Sequence, residues 1–353
     1  MKILYVNACY YPVYGGVEEY LKNVAERMAL RHDVTVFAGD ATGRLPAIEK
    51  INRVTVKRFK SYAPGNSIHL SLGMIAELKK SHYDIVHAFN YHALPSYFAR
   101  YAHAKRFILT PCYHGHGHNV LMDVLLKAYK PLGGRVIRDA DTVTANSRYE
   151  RGLLVKDFHR TVIEVVPCGL NLSEFAQRVK NRLLVLSVGR LEEYKGMQHI
   201  ISAMPYLPDY QLKIVGKGNY KQQLVALTEK LGLNNRVAFL QDLPRLELLD
   251  LYAKAGIFVL LSQIESYAIT VSEALASHTV CIVNEATALA EWVDNINCFG
   301  VNYPVNSELV ANLIKRHSGR AVNRPDILDW DKVVDKLEGV YVREGFNISS
   351  TLV

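Results

Sequence analysis

Short apolar runs alternate with amphipathic stretches along the whole chain. Lys2–Ala8, Asp33–Ala38, Val54–Phe59, Asp84–Phe89, Arg106–Thr110, Asp141–Ala145 and Val162–Val166 each have the length and composition of a strand. Among them, Val17–Leu30 places Val17, Tyr20, Leu21, Val24 and Met28 at helical spacing, and Leu70–Lys80 also reads as a helix. Repeated βα units predict an α/β fold with a doubly wound sheet. After Pro167-Cys168-Gly169 a polar stretch, Asn171–Asn181, reads as a linker, and the rhythm restarts at Leu183–Val188. Strands are expected at Gln211–Val215, Arg236–Leu240, Gly256–Leu261 and Thr279–Val283. Helices are expected at Tyr220–Leu231, Leu246–Ala255 and Tyr267–Ser277. The pattern predicts two Rossmann-like domains, 1–172 and 173–328. A last helix from about Trp330 to Arg343, beyond Pro325, packs back towards the first domain within 329–353. Ligands of such folds sit at the C-terminal ends of strands, so the expected site is a central cleft faced by both domains.

Three stretches at expected strand ends carry candidate chemistry. In Ser262–Val293, Glu265 falls in a strand-to-helix turn and Glu273 eight residues later inside the helix. A carboxylate buried there requires a partner, which a hydroxyl-rich ligand supplies, while helix-start N–H groups suit phosphates. Two surface glutamates on an ordinary helix would show the same spacing. In Ser187–Gly196 a strand ends at Gly189, followed by Arg190 and Lys195 in the loop before a helix. Paired cations there suit a diphosphate leaving group, and solvated surface charges or pairing with Glu192 and Glu193 are the plainer alternatives. Gly15-Gly16-Val17-Glu18 follows the first strand, but its spacing is not the G-x-G-x-x-G dinucleotide fingerprint.

Charge is uneven. Residues 1–180 hold 25 Lys and Arg against 15 Asp and Glu, whereas the remainder holds 17 against 19. The basic first half suggests an anionic partner. Candidate contacts are Lys57, Arg58, Lys60 and the stretch Leu121–Arg138 with Lys127, Lys130 and Arg135. No aromatic-basic recognition motif accompanies the charge, so no nucleic-acid partner is expected. No apolar run reaches about 18 residues, and the N-terminus enters a strand pattern without a signal-like segment. Five scattered cysteines fit buried thiols in a reducing compartment. The expected location is cytoplasmic, with peripheral attachment to a membrane face.

Gly189-Arg190-Leu191, Lys195-Gly196, Val215-Gly216-Lys217-Gly218 and the Glu265/Glu273 pair resemble, in order and spacing, a retaining glycosyltransferase of the GT-B fold, family four. Gly15-Gly16-Val17-Glu18, the hinge phrase Val166–Asn171 and Glu291 extend the resemblance over nearly the whole chain. It implies a nucleotide-sugar donor held by the second domain, with Glu273 on the ribose hydroxyls. Glu265, Ser266 and the Tyr267, Ala268 and Ile269 segment would hold the sugar and phosphates. Arg190 and Lys195 would neutralise the diphosphate, with Gly189, Gly216 and Lys217 beside it, Asp242-Leu243 near the base, and Gly15 and Gly16 approaching from the first domain. It implies a hexosyltransferase needing no cofactor and acting on a glycan, lipid-linked or small-molecule acceptor.

The family often has a histidine where Cys112 stands; His114 is the substitute, with His118 behind it. The three histidines of His114-Gly-His-Gly-His118 and the acidic pairs Asp139/Asp141 and Asp329/Asp331 are weighed as metal ligands. A polar loop and helix capping account for them, and no metal is expected. Glu265-Ser-Tyr-Ala268, Ser277-His278-Thr-Val280 and Phe239-Leu-Gln-Asp242 replace glycine-richer phrases of the family. A non-catalytic sugar-nucleotide-binding partner of a transferase and a sugar-nucleotide epimerase are the alternatives.

Overall fold

The computed structural model describes residues 1–13, 15–63, 69–117, 120–320, 322–323 and 326–343. The chain forms two compact units, Met1–Gly169 joined by the segment from Trp330 onward, and Leu170–Asp329.

The first unit carries strands β1 (Lys2–Asn7), β2 (Asp33–Asp40), β3 (Ile48–Ile51), β4 (Val54–Lys60), β5 (His82–Phe89), β6 (His103–Thr110), β7 (Thr142–Ala145) and β8 (Ile163–Val165). They form one sheet in the order β3-β4-β2-β1-β5-β6-β7-β8. Every pair is parallel except β3 and β4, an antiparallel hairpin. Its two turn residues, Asn52 and Arg53, both have positive φ, the turn geometry that matches strand twist. The sequence reading missed β3, whose four residues are all at least partly exposed. Helices α1 (Gly16–Met28), α2 (Leu72–Leu78), α3 (Leu94–Ala99), α4 (Val120–Asp139) and α5 (Arg148–Phe158) connect the strands.

The second unit has β9 (Asn181–Val188), β10 (Gln211–Val215), β11 (Val237–Leu240), β12 (Ala255–Leu260), β13 (Val280–Asn284) and β14 (Cys298–Val301), all parallel, in the order β11-β10-β9-β12-β13-β14. Its helices are α6 (Met197–Ala203), α7 (Lys221–Lys230), α8 (Arg245–Lys254), α9 (Ile269–Ala276) and α10 (Ser307–His317). Side chains alternate across the sheet into two cores. Val185, Ile257 and Ile282 belong to one, and their neighbours Leu186, Phe258 and Cys281 to the other. Strands covered on both faces, such as β12 and β13, read as continuous apolar runs and were legible, whereas β14 was not foreseen.

Helix α11 (Trp330–Val342) belongs to the first unit. Trp330 meets Tyr20 edge-on at 5.5 Å, and Arg27 and Arg31 of the α1 region pair with Asp331 and with Asp335 and Glu338. The Tyr341 hydroxyl lies 2.7 Å from buried His87 Nδ1, whose Nε2 lies 2.7 Å from Thr110 Oγ1. Gly169 passes so close to Trp330 that a Cβ would come within 2.9 Å of its backbone.

Candidate functional site

In the second unit the sheet order reverses around β9, and the loops leaving β9, β10 and β12 gather at its carboxyl edge. Glycines set how closely they pass. Gly216 has φ +152°, and a Cβ there would lie 1.9 Å from the Gly189 carbonyl oxygen. Gly196, at φ +73°, turns against the end of β12, where a Cβ would lie 2.2 Å from the Leu261 oxygen. That turn delivers Lys195 to the β12–α9 loop, where its Nζ lies 2.5 Å from Glu265 Oε1. Arg190 is exposed, and its Nη2 donates to the Tyr194 hydroxyl at 2.8 Å. The plainer expectation is solvated surface charges or pairing with Glu192 and Glu193. Arg190 is exposed as the first of these has it, but neither glutamate is the partner, since Lys195 takes Glu265 and Arg190 takes Tyr194. Lys217 is exposed and pairs with Asp242 at 2.5 Å, next to half-buried Leu243.

Helix α9 begins at Ile269, two residues later than the periodicity predicts, because Ala268 is left-handed at φ +70° and serves as its N-cap. Ser266 and Tyr267 lie in the preceding turn, and the Tyr267 carbonyl accepts from Trp292 Nε1 at 3.0 Å. Glu291 is exposed on the short turn 287–292, where Ala288 N lies 3.5 Å from the Glu265 carbonyl oxygen. The three phrases that depart from the family's glycines share a backbone feature: Ala268, His278 and Asp242 all have positive φ. The main chain keeps the shape that glycine favours while bearing side chains.

Glu273 is buried inside α9, and its partners come from the protein. Tyr252 donates its hydroxyl to Oε2 at 3.0 Å, and Arg245 Nη1 lies 2.5 Å from Oε1. Burial and the neighbouring carboxylate hold the Tyr252 phenol well above its ordinary pKa, so it stays a donor. The sequence reading missed both residues. Their spacing of two helical turns, on one face of α8, was the available signal.

In the first unit, Gly15 is the extended N-cap of α1 and Gly16 its first residue; a Cβ on Gly16 would meet nothing within 4 Å. Neither glycine is dictated by φ. At the end of β6, Cys112 takes φ +50° and lies 3.5 Å from Asn146 Nδ2. The ring of His114 lies 5.0 Å from that of His92, at the end of β5. His116 lies 3.7 Å from Asp123. His118 lies outside the described residues. Behind this loop, Glu150 is fully buried and accepts from the Tyr113 amide at 2.6 Å and the Asn146 amide at 2.8 Å. Burial raises its carboxyl to about 7 against the pull of those two amides. His92 and Glu150 were not foreseen. Ser147-x-x-Glu150, a helix-start phrase, was the legible hint.

The acidic pairs have structural partners: Asp139 with Arg100, Asp141 with the Phe107 amide, Asp329 with the Leu172 amide and Asp331 with Arg27. Among the expected basic contacts, Arg58 requires correction. Its guanidinium is buried, paired with Glu49 and donating to the carbonyls of Pro46 and Tyr11, because β4 directs it inward. Lys57, Lys127 and Lys130 pair with Glu77, Asp123 and Asp157, while Lys60 and Arg135 are exposed. Met122, Val124, Leu125 and Leu132 of α4 are exposed as well. No described helix is long and apolar enough to cross a membrane.

Residues 14–174 match the family model Glycosyltransferase Family 4, and residues 171–317 match Glycosyl transferases group 1. The chain is 29% identical over 273 residues to a GDP-mannose-dependent alpha-(1-6)-phosphatidylinositol monomannoside mannosyltransferase of Mycolicibacterium smegmatis, covering 70% of this chain and 69% of that one. It is 25% identical to an uncharacterised glycosyltransferase of Methanocaldococcus jannaschii, covering 88% of this chain and 87% of that one. Sucrose-phosphate synthase of Thermosynechococcus elongatus superposes with a TM-score of 0.81 and 18% identity, over 96% of this chain and 98% of that one. Anabaena HepE in complex with UDP-glucose superposes with a TM-score of 0.75 and 19% identity, over 96% and 99%.

Proposed function

The chain belongs to the glycosyltransferases of GT-B fold, matching family 4 across its first unit and group 1 across its second, and on that footing we propose a retaining hexosyltransferase that uses a nucleotide sugar. The observation that carries the reading is the Lys195–Glu265 contact at the carboxyl edge of β9 and β12, made possible by Gly196. In the reaction, the bond from the anomeric carbon to the diphosphate oxygen breaks and the electron pair leaves with the nucleoside diphosphate. An acceptor hydroxyl adds on the same face, and its proton passes to the departing phosphate. Lys195 and Arg190 stabilise the charge that grows on the leaving group, so the chain's own cations serve where a metal otherwise would. Glu265 orients Lys195 and accepts from sugar hydroxyls, and Glu273 accepts from the ribose. His114 faces the acceptor.

The acceptor is read as a glycan or a lipid-linked molecule, reached at a membrane face through α4. Exposed Leu125 and Leu132 supply apolar contact there and Arg135 supplies charge. A thermal-shift panel of UDP-, GDP-, ADP- and dTDP-sugars tests the donor, since a ligand of the native state raises its melting point by mass action. A product whose anomeric configuration matches the donor supports retention, and an inverted product rejects it. Turnover unchanged in a chelator is expected. The non-catalytic reading draws support from the side chains on left-handed Ala268 and Asp242, and transfer by the isolated protein removes it. An epimerised donor formed without acceptor would instead favour the epimerase.

A further inference from the structure

Glu273 offers its two oxygens unequally. Oε2 faces inward to Tyr252, a residue with no exposed surface, and Oε1 is taken by Arg245. The Glu273 side chain is 8% exposed and that of Arg245 is 45% exposed, so the guanidinium forms the outer half of this pair. Arg245 has a second carboxylate in reach. Its Nε lies 3.3 Å from Glu174 Oε2, on the turn Leu172–Glu174, and its guanidinium lies 5.6 Å from the Phe175 ring. One cation therefore bridges a buried carboxylate and a partly exposed one. Arg245 is also the first residue of α8, three positions after Asp242, whose loop is expected to border the base.

We propose that Arg245 is a latch on the nucleoside end of the donor site: it holds the outer oxygen of Glu273 until a ribose diol displaces it, and it then rests on Glu174. The inference depends on the reading that Glu273 receives the donor ribose. A carboxylate whose inner oxygen is committed to Tyr252 has one oxygen to offer a diol, and that oxygen is the one Arg245 occupies. Displacement breaks a charge-assisted hydrogen bond at a buried group, which lowers donor affinity. Glu174 recovers part of that cost because the cation never loses a carboxylate. The latch thus tempers the affinity of ligands that bring a vicinal diol to this position and leaves ligands without one, which do not displace it, unaffected.

Calorimetric titration with UDP and GDP tests it on the full chain. Arg245→Gln removes the competing cation and is expected to bind the better of the two about tenfold more tightly than the unsubstituted protein. Glu174→Gln removes the resting place from a residue with no role in holding the donor, and is expected to weaken binding severalfold. A role for Arg245 in packing alone would leave the Glu174→Gln titration unchanged. The corresponding 2′,3′-dideoxy nucleotide, which has no diol, is expected to bind both variants as it binds the unsubstituted protein. If Arg245→Gln binds equally or more weakly while the unsubstituted protein binds nucleotide, the latch is overturned and the donor reading stands. If Arg245→Gln does not fold, an unchanged Glu174→Gln titration overturns it alone. If the unsubstituted protein binds neither nucleotide, the donor reading fails and the latch with it.

Discussion

Lys195 is held by Glu265, a carboxylate to which the proposed function also gives a part. Both side chains of this salt bridge are largely covered, so the charge is oriented before the diphosphate of the proposed donor would arrive. Lys195→Ala is expected to reduce turnover about 10²–10³-fold, the scale for one preorganised charge stabiliser, and to lower the melting point because Glu265 stays covered without its partner; steady-state kinetics and thermal denaturation measure the two effects. Ala268 is a different case. An L side chain at φ +70° is disfavoured by roughly 1 kcal/mol, so Ala268→Gly is expected to leave stability equal or raise it by up to about 1 kcal/mol in thermal denaturation. It should also widen the range of donor sugars consumed, because the methyl is gone from the start of α9. Glu150 gives a pH signature. Its pKa is raised from 4.5 to about 7 in the fold, so the native state binds more protons than the unfolded state between those values. Its contribution to stability is therefore complete below about 4.5 and lost as pH rises through 7. Glu150→Gln removes that dependence. The variant is expected to gain on the unsubstituted protein, by up to about 3 kcal/mol, between pH 5 and pH 8 in denaturant titrations.

At the scale of elements, what the sequence revealed and what it hid follow from burial. The central strands were readable because a parallel sheet covered on both faces favours apolar side chains, as throughout β12 and in the buried part of β9 apart from Ser187. The hairpin strand β3 was not readable, since its side chains are partly exposed and its pairing depends on the turn Asn52-Arg53. The start of α9 was misplaced because an alanine in left-handed backbone leaves no trace in a hydrophobic pattern. Lys195 was singled out by spacing within the β9–α6 unit, and Glu265 and Glu273 within the β12–α9 unit, but the pairing of Lys195 with Glu265 across 70 residues was not legible. Arg245 and Tyr252 were not legible either, because their partner is 28 and 21 residues away and only the fold brings them together. Arg58 illustrates the opposite error, a cation counted as surface that β4 buries. The glycine crossing between the β9 and β10 loops can be tested directly. Gly216→Ala would drive a methyl into the Gly189 carbonyl, and a loss of about 1–3 kcal/mol is expected in denaturant unfolding, with a larger loss of nucleotide binding.

For the whole molecule, the division of charge and the return of the chain through α11 bear on one question, how the first unit would meet the acceptor of the proposed reaction. That unit is closed by α11, whose Tyr341 reaches a buried histidine held neutral, its pKa lowered to about 3 by burial. The helix α4 lies elsewhere in its sequence, with apolar side chains exposed among cations. The acidic partners of Lys57, Arg58, Lys127 and Lys130 are already subtracted in the excess of residues 1–180, so these pairs fix where charge sits without lowering the net attraction to an anionic surface, to which the exposed apolar side chains of α4 would add. Two dependences follow. Binding to vesicles containing phosphatidylglycerol should be strong at low ionic strength and fall, without vanishing, at about 0.15 M salt, where the Debye length is about 8 Å. Leu125→Ser should abolish the part that survives salt, while Arg135→Ser should remove mainly the part that salt removes. Cosedimentation measures both. Binding that ignores salt would show that apolar contact alone holds the membrane and that the basic excess serves solubility, and no binding at low salt would show that the acceptor is met in solution.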